Sequence, residues 1–170
     1  MTEQQKYKVV KKFNDFEIRD YEPCIIAEVN VQGSMGQAGS YGFRPLFNYI
    51  SQNNISMTAP VIQIPDKNNC WKVSFVMPSD SNLSSLPISK NSNVEIKQLP
   101  REFYACLKFS GNFTEEKLEK NLRLLKSALN RESIHEKGGE NNWRSARFDP
   151  PFKPPFLKRN EIQIPINWIN

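Results

Sequence analysis

At 170 residues, with 38% hydrophobic and 24% charged side chains, the chain has room for one ordinary globular core, and two domains would be cramped. The net charge of +5 is spread without any run of Lys and Arg, so nothing in it calls for nucleic acid as a partner. The N-terminal MTEQQKYKVVKKF lacks the apolar centre of a signal peptide. No stretch reaches the roughly 18 apolar residues that cross a bilayer.

These exclusions predict a single domain over residues 1–170, cytoplasmic, monomeric and without a membrane partner. Cys24, Cys70 and Cys106 are an odd, widely spaced set, which argues against a disulfide framework. Cys24 and Cys106 lie among apolar residues and read as small core side chains.

The first predicted elements are two β-rich runs around Pro23 in FEIRDYEPCIIAEVNVQG (16–33), which read as paired strands closed by Gly33. Phe43, Leu46, Phe47 and Ile50 follow at i, i+3, i+4 and i+7, the stripe of an amphipathic helix. Its front, SMGQAGSYGFRPLF, holds glycines at 36, 39 and 42, after Gly33, and a proline at 45. Each glycine costs about 1 kcal/mol relative to Ala, which predicts a helix that starts near Phe43 or is weak before it. Strands are expected over residues 61–64 and 71–77.

The pattern then repeats. VEIKQLPREFYACLKFSG (94–111) aligns with the first run at an offset of 78, setting Ala105 on Ala27 and Gly111 on Gly33. Leu118, Leu122, Leu125 and Leu129 form a second helical stripe, with Thr114 as N-cap and Glu115 and Glu116 suited to the helix dipole. The same offset carries Leu46 onto Leu124 and predicts that both face the core. Strands over about 144–148 and 161–166 complete the second copy. The expected fold is therefore α+β. A strand-helix-strand-strand unit is used twice about a pseudo-twofold axis, giving a distorted, mainly antiparallel β-barrel with two flanking helices.

Between the last two strands lies RFDPPFKPPFLKR (147–159), with four prolines, three phenylalanines and four cations, Arg147, Lys153, Lys158 and Arg159. Prolines bar it from a helix interior or a central strand. Two readings stand side by side. The rings of Phe148 and Phe152 plug the core, or the loop forms one wall of a pocket for a flat, apolar, anionic ligand, with Phe156 as its exposed ring.

Three stretches bear on the choice. NNISMTAPVIQI (53–64), WKVSFVMPS (71–79) and FDPPFKPPFLKRNEIQI (148–164) resemble the SOUL haem-binding protein family, in that family's order and over most of the chain. The resemblance implies the duplicated distorted barrel, similar to the gyrase inhibitor-like fold. It also implies reversible, non-covalent binding of haem or another tetrapyrrole, without enzymatic activity, in a carrier or buffer. The implied pocket lies between the first helix and the proline-rich loop. Carried onto this sequence, Phe43 and Phe47 meet the macrocycle and Lys153 meets a propionate; on the reading of the loop as a pocket wall, Phe156 covers ring surface. Two positions that are basic on the family's helix fall on Ser40 and Asn48, leaving Arg44 as the nearby substitute. The alternative on the same fold is a ligand-responsive regulatory or interaction module that does not use haem.

Other chemical signals are weak. His135, the only histidine, sits in polar, glycine-rich SIHEKGGENN and reads as a solvent loop. Met35 and Met57 are possible soft ligands but read as core. No HExxH, CxxC or phosphate-loop pattern is present.

Overall fold

The computed structural model describes every residue except Met1, Ser92 and Asn170. In chain order the strands are β1 (Glu3–Gln4), β2 (Tyr7–Lys12), β3 (Glu17–Tyr21) and β4 (Cys24–Gln32), followed by helix α1 (Met35–Gln52). Next come β5 (Thr58–Ala59), β6 (Val61–Asp66), β7 (Cys70–Val76), β8 (Glu95–Leu99) and β9 (Glu102–Ser110), then helix α2 (Glu115–Arg131). Strand β10 (Arg144–Arg147), a 3-10 turn at Pro155–Leu157 and β11 (Arg159–Pro165) end the chain.

Nine strands form one curled antiparallel sheet, a half-barrel, in the order β2-β3-β9-β11-β10-β6-β7-β4-β8. Its symmetry is plain in that order. Outward from the β10–β6 pair, β11 answers β7, β9 answers β4, and β3 answers β8. The duplicated α+β architecture read from the sequence is present, with a correction to the strand pairing. The runs on either side of Pro23 do not pair with each other. Strand β3 pairs with β9, Ile18 opposite Ala105, and β4 pairs with β8, Ala27 opposite Ile96. Each proline corner hands the chain to a different part of the sheet, and each half lends a strand to the other.

Both helices cover one face. Helix α1 lies on β4 and β7, burying Leu46, Tyr49 and Ile50 against Ala27, Val29, Val73 and Phe75. Helix α2 lies over β3, β9 and β11, burying Leu118, Leu125, Ala128 and Leu129 against Ile18, Ala105, Ile162 and Ile164. The first two strands of each copy, β3 and β4 against β8 and β9, keep the offset of 78, and Gly33 and Gly111 both take positive φ (135° and 99°), as a residue without Cβ permits. The helices do not keep it. Leu124 is 50% exposed while Leu125 is fully buried, so Leu46 corresponds to Leu125 and Ile50 to Leu129, an offset of 79. The link from glycine to helix is GNFT here against GS in the first copy, two residues longer, and the buried leucines stand one residue, a 100° turn, beyond the strand offset.

Helix α1 also starts earlier than its glycines suggest. Ser34 accepts from the Gln37 N–H (3.3 Å) while the Gln37 side chain accepts from the Ser34 N–H (3.2 Å), a reciprocal capping box. Gly39 and Gly42 offset their propensity cost by close packing. A Cβ on Gly42 would stand 2.7 Å from Val73, and one on Gly39 would meet the Arg147 guanidinium. Gly42→Ala is therefore expected to lose about 1–3 kcal/mol despite alanine's better helix propensity, measured by urea denaturation. A neutral or stabilised variant would show that the helix can lift off the sheet at little cost.

The opposite face of the sheet carries a polar core. Arg19, fully buried, donates to both oxygens of Glu161 (2.6 and 3.0 Å) and to the Tyr21 hydroxyl (2.9 Å). Gln163 donates to Glu161 (2.8 Å) and Tyr21 (3.1 Å) and accepts from Arg144 (2.6 Å). The Arg144 guanidinium stacks on Tyr104 at 4.0 Å, and that of Arg19 on Tyr7 at 4.2 Å. The N-terminal segment closes this region, its Gln5 accepting from Arg144 (3.2 Å) and donating to the Cys24 sulfur (3.4 Å). Burial pushes the Cys106 thiol up to about 12, so it stays protonated and inert at neutral pH.

Candidate functional site

The helical stripe predicted from Phe43, Leu46, Phe47 and Ile50 splits into two parts. Leu46 and Ile50 face the sheet, whereas Phe43 and Phe47 stand at its border, 40% and 46% exposed. Their rings stack with centroids 5.7 Å apart and planes 13° from parallel. Phe43 also meets the buried Phe75 edge-on at 5.2 Å, which anchors one side of the pair to the core. The result is a flat aromatic step held by α1 and open to solvent. Arg44 is exposed beside it.

The proline-rich loop is braced by one carboxylate. Asp149 accepts from the Arg159 N–H (2.6 Å), from the Arg159 side chain (3.1 Å) and from the Lys153 ammonium (2.8 Å). These bonds, those of Arg159 first, hold the Asp149 carboxyl far below the usual carboxylate range. Backbone bonds from Phe148 to Arg159 (3.1 Å), Lys153 to Pro150 (3.2 Å) and Leu157 to Pro154 (2.9 Å) fold the segment back on itself. Lys153, the cation assigned to a propionate, is thus held within its own loop, and one positive charge remains when Lys153 and Arg159 share Asp149.

The loop's rings are not plugs. Phe152 is 88% exposed and Phe156 76%, while Phe148 alone is half-buried. The core-plug reading fails for Phe152 because Pro150, Pro151 and the turn at Lys153 carry it outward. Among the described residues, no hydrogen bond or ring contact joins Lys153 or Phe156 to Phe43 or Phe47.

Helix and loop do approach each other at one residue that the sequence reading passed over. Arg147, the last residue of β10, precedes the loop and packs against Gly39 of α1, one turn before Phe43. Arg147 had counted only as one cation of a cluster. Nothing in RSAR signals which side chain points toward the helix.

His135 lies elsewhere. Its carbonyl accepts from Asn167 (3.0 Å), beyond the Pro165 end of β11, whereas the loop sits at the Arg159 end. Seven strand residues separate the two ends, about 20 Å. Met35 is buried and Met57 half-buried in the core, as expected. Among the described residues no group of His, Cys, Asp and Glu could hold a metal ion. A cavity of about 200 Å³ is lined by Gln5, Cys24, Val76 and Met77 beside the N-terminal segment, and neither Phe43 nor Phe47 lines it. No helix among the described residues is long and apolar enough to cross a membrane.

A curled, duplicated half-barrel with two helices on one face recurs in solved structures. A hydrolase from Listeria innocua matches with a TM-score of 0.64 at 12% identity, covering 93% of this chain and 94% of its own. The C-terminal domain of EcmrR matches at 0.64 and 13% identity, covering 96% of this chain and 99% of its own. SAV2435, solved bound to tetraphenylphosphonium, matches at 0.54 and 8%, covering 90% and 94%. At these identities the likeness shows the fold alone. Among curated proteins, none matches the chain. The family model of the SOUL heme-binding protein matches residues 2–165, and the chain belongs to that family.

Proposed function

We propose that the protein is a cytoplasmic carrier or buffer that binds haem or a related tetrapyrrole non-covalently, as one domain and without enzymatic turnover. The macrocycle lies against Phe43 and Phe47, with Arg44 beside it and with Lys153 and Phe156 on the facing loop. The observation that carries this reading is the exposed, mutually stacked Phe43–Phe47 step, in a family defined by haem binding. A porphyrin offers a broad apolar face to such a step. Burial at about 25 cal/mol per Å² supplies micromolar affinity without an iron ligand. Bound haem would bring an iron with redox chemistry. The residues of this site contribute apolar contact, orientation and charge.

The reading is tested by titrating hemin and metal-free protoporphyrin, following the Soret band and tryptophan quenching. Both are expected to bind within about tenfold of each other, a gap of about 1.4 kcal/mol. His135→Ala should leave hemin affinity unchanged, and Phe47→Ala should weaken both ligands by about tenfold, since stacking and area are lost together. Absence of binding by either porphyrin would discard the reading in favour of a regulatory module that uses another ligand. Loss of the Soret shift in His135→Ala would make that histidine an axial ligand.

A further inference from the structure

Arg147 is a cation without an anion. Among the described residues no carboxylate lies within ion-pair distance of its guanidinium, and its one described hydrogen bond runs from Nη2 to the Gln63 side-chain oxygen (2.8 Å). Gln63 is itself fully buried and donates from its other end to the Met35 carbonyl of α1 (2.8 Å). One guanidinium face stacks on Phe113 at 4.4 Å, and its edge rests on Gly39. The guanidinium is thus fixed by a strand, a helix and an aromatic ring before any ligand arrives.

Its remaining N–H groups are neither bonded nor sealed in. The Arg19 Nε is the one buried, unpartnered side-chain polar atom among the described residues, so those of Arg147 reach the surface. Burial lowers the Arg147 pKa, with no neighbouring anion to offset the penalty. A group held charged in this way gains when a carboxylate desolvates alongside it.

We propose that Arg147 is the carboxylate-binding residue of the tetrapyrrole site, donating to a ring propionate while the macrocycle covers Phe43 and Phe47. This rests on the haem reading above and adds to it the group that selects an acidic porphyrin. Spacing suits the assignment, because Gly39, which Arg147 touches, lies one helical turn, about 6 Å, before Phe43. On the helix side, a Cβ at Gly36 would meet nothing within 4 Å, leaving room for the substituent. Ser40 and Asn48 leave the helix without cations at two positions, and Lys153 is held by Asp149. Arg147 supplies the charge from the strand instead.

The experiment compares protoporphyrin with its dimethyl ester, using wild type, Arg147→Met and Gly39→Ala. Arg147→Met should weaken the diacid by about tenfold or more, the loss of a charge-assisted bond, and leave the ester unchanged. Binding of the ester doubles as the check that the variant is folded. Gly39→Ala keeps the charge but pushes the guanidinium from its seat, so it should weaken the diacid selectively by several-fold. Equal losses for both ligands in Arg147→Met would make Arg147 a structural residue and overturn the proposal. Unchanged diacid binding would also overturn it, while the haem reading stands. Failure of wild type to bind either porphyrin would remove the haem reading, and this assignment with it.

Discussion

Glu161→Ala is expected to destabilise the protein by about 3–5 kcal/mol, a large part of the 5–15 kcal/mol that holds a typical domain folded. The carboxylate meets Arg19 through two oxygens at 2.6 and 3.0 Å, and Arg19 is fully buried. Removing it leaves a guanidinium in the sheet's interior with only Glu17, at 3.3 Å, for compensation, and Glu17 is shared with Lys108. The measurement is the midpoint of urea denaturation at unchanged m-value. A double variant, Arg19→Met with Glu161→Leu, should recover much of the loss, since no charge is then stranded. A loss below about 1 kcal/mol in Glu161→Ala would show that water reaches Arg19.

The second large effect separates adjacent leucines. Leu125→Ala should cost about 2–5 kcal/mol, as should Leu46→Ala, because both side chains are fully buried and leave cavities. Leu124→Ala, 50% exposed, should cost under about 1 kcal/mol. The same denaturation series measures all three. Equal costs for Leu124 and Leu125 would restore the uninterrupted offset of 78 and reject the one-residue shift.

That pair shows where the sequence was readable. The strand repeat was legible because Gly33 and Gly111 punctuate it and alternation fixes a strand's register to the residue. The helix repeat misled because consecutive leucines at 124 and 125 both fit a stripe, and only the cap at Thr114 sets which faces inward. Strand partners were illegible for another reason. Proline corners mark where strands end and say nothing about which strand each one joins, so an exchanged pairing looks like a hairpin.

The site was half legible. Phe43 and Phe47 lay on the helical stripe and became candidates through the family resemblance, and their exposure follows from the width of the stripe, whose border residues cannot all reach the sheet. Lys153 became a candidate through the same resemblance, but its bond to Asp149 depends on a turn that four prolines do not specify. Arg147 went unnoticed because a four-residue strand has too short a pattern to show which face meets α1.

The exchange of β3 and β8 between the halves also governs how the chain acquires its shape. Glu17 must find Cys106 and Ile26 must find Lys97, partners 89 and 71 residues apart, before either half has a complete sheet. Closing such long loops costs entropy early and returns contacts late, which makes assembly slow, on the millisecond-to-second scale of β-rich domains. Neither half can finish on its own. A nascent chain that has emerged only as far as β7 leaves one edge each of β3, β4 and β6 unpaired, three aggregation-prone edges that stay uncovered until the second copy is synthesised.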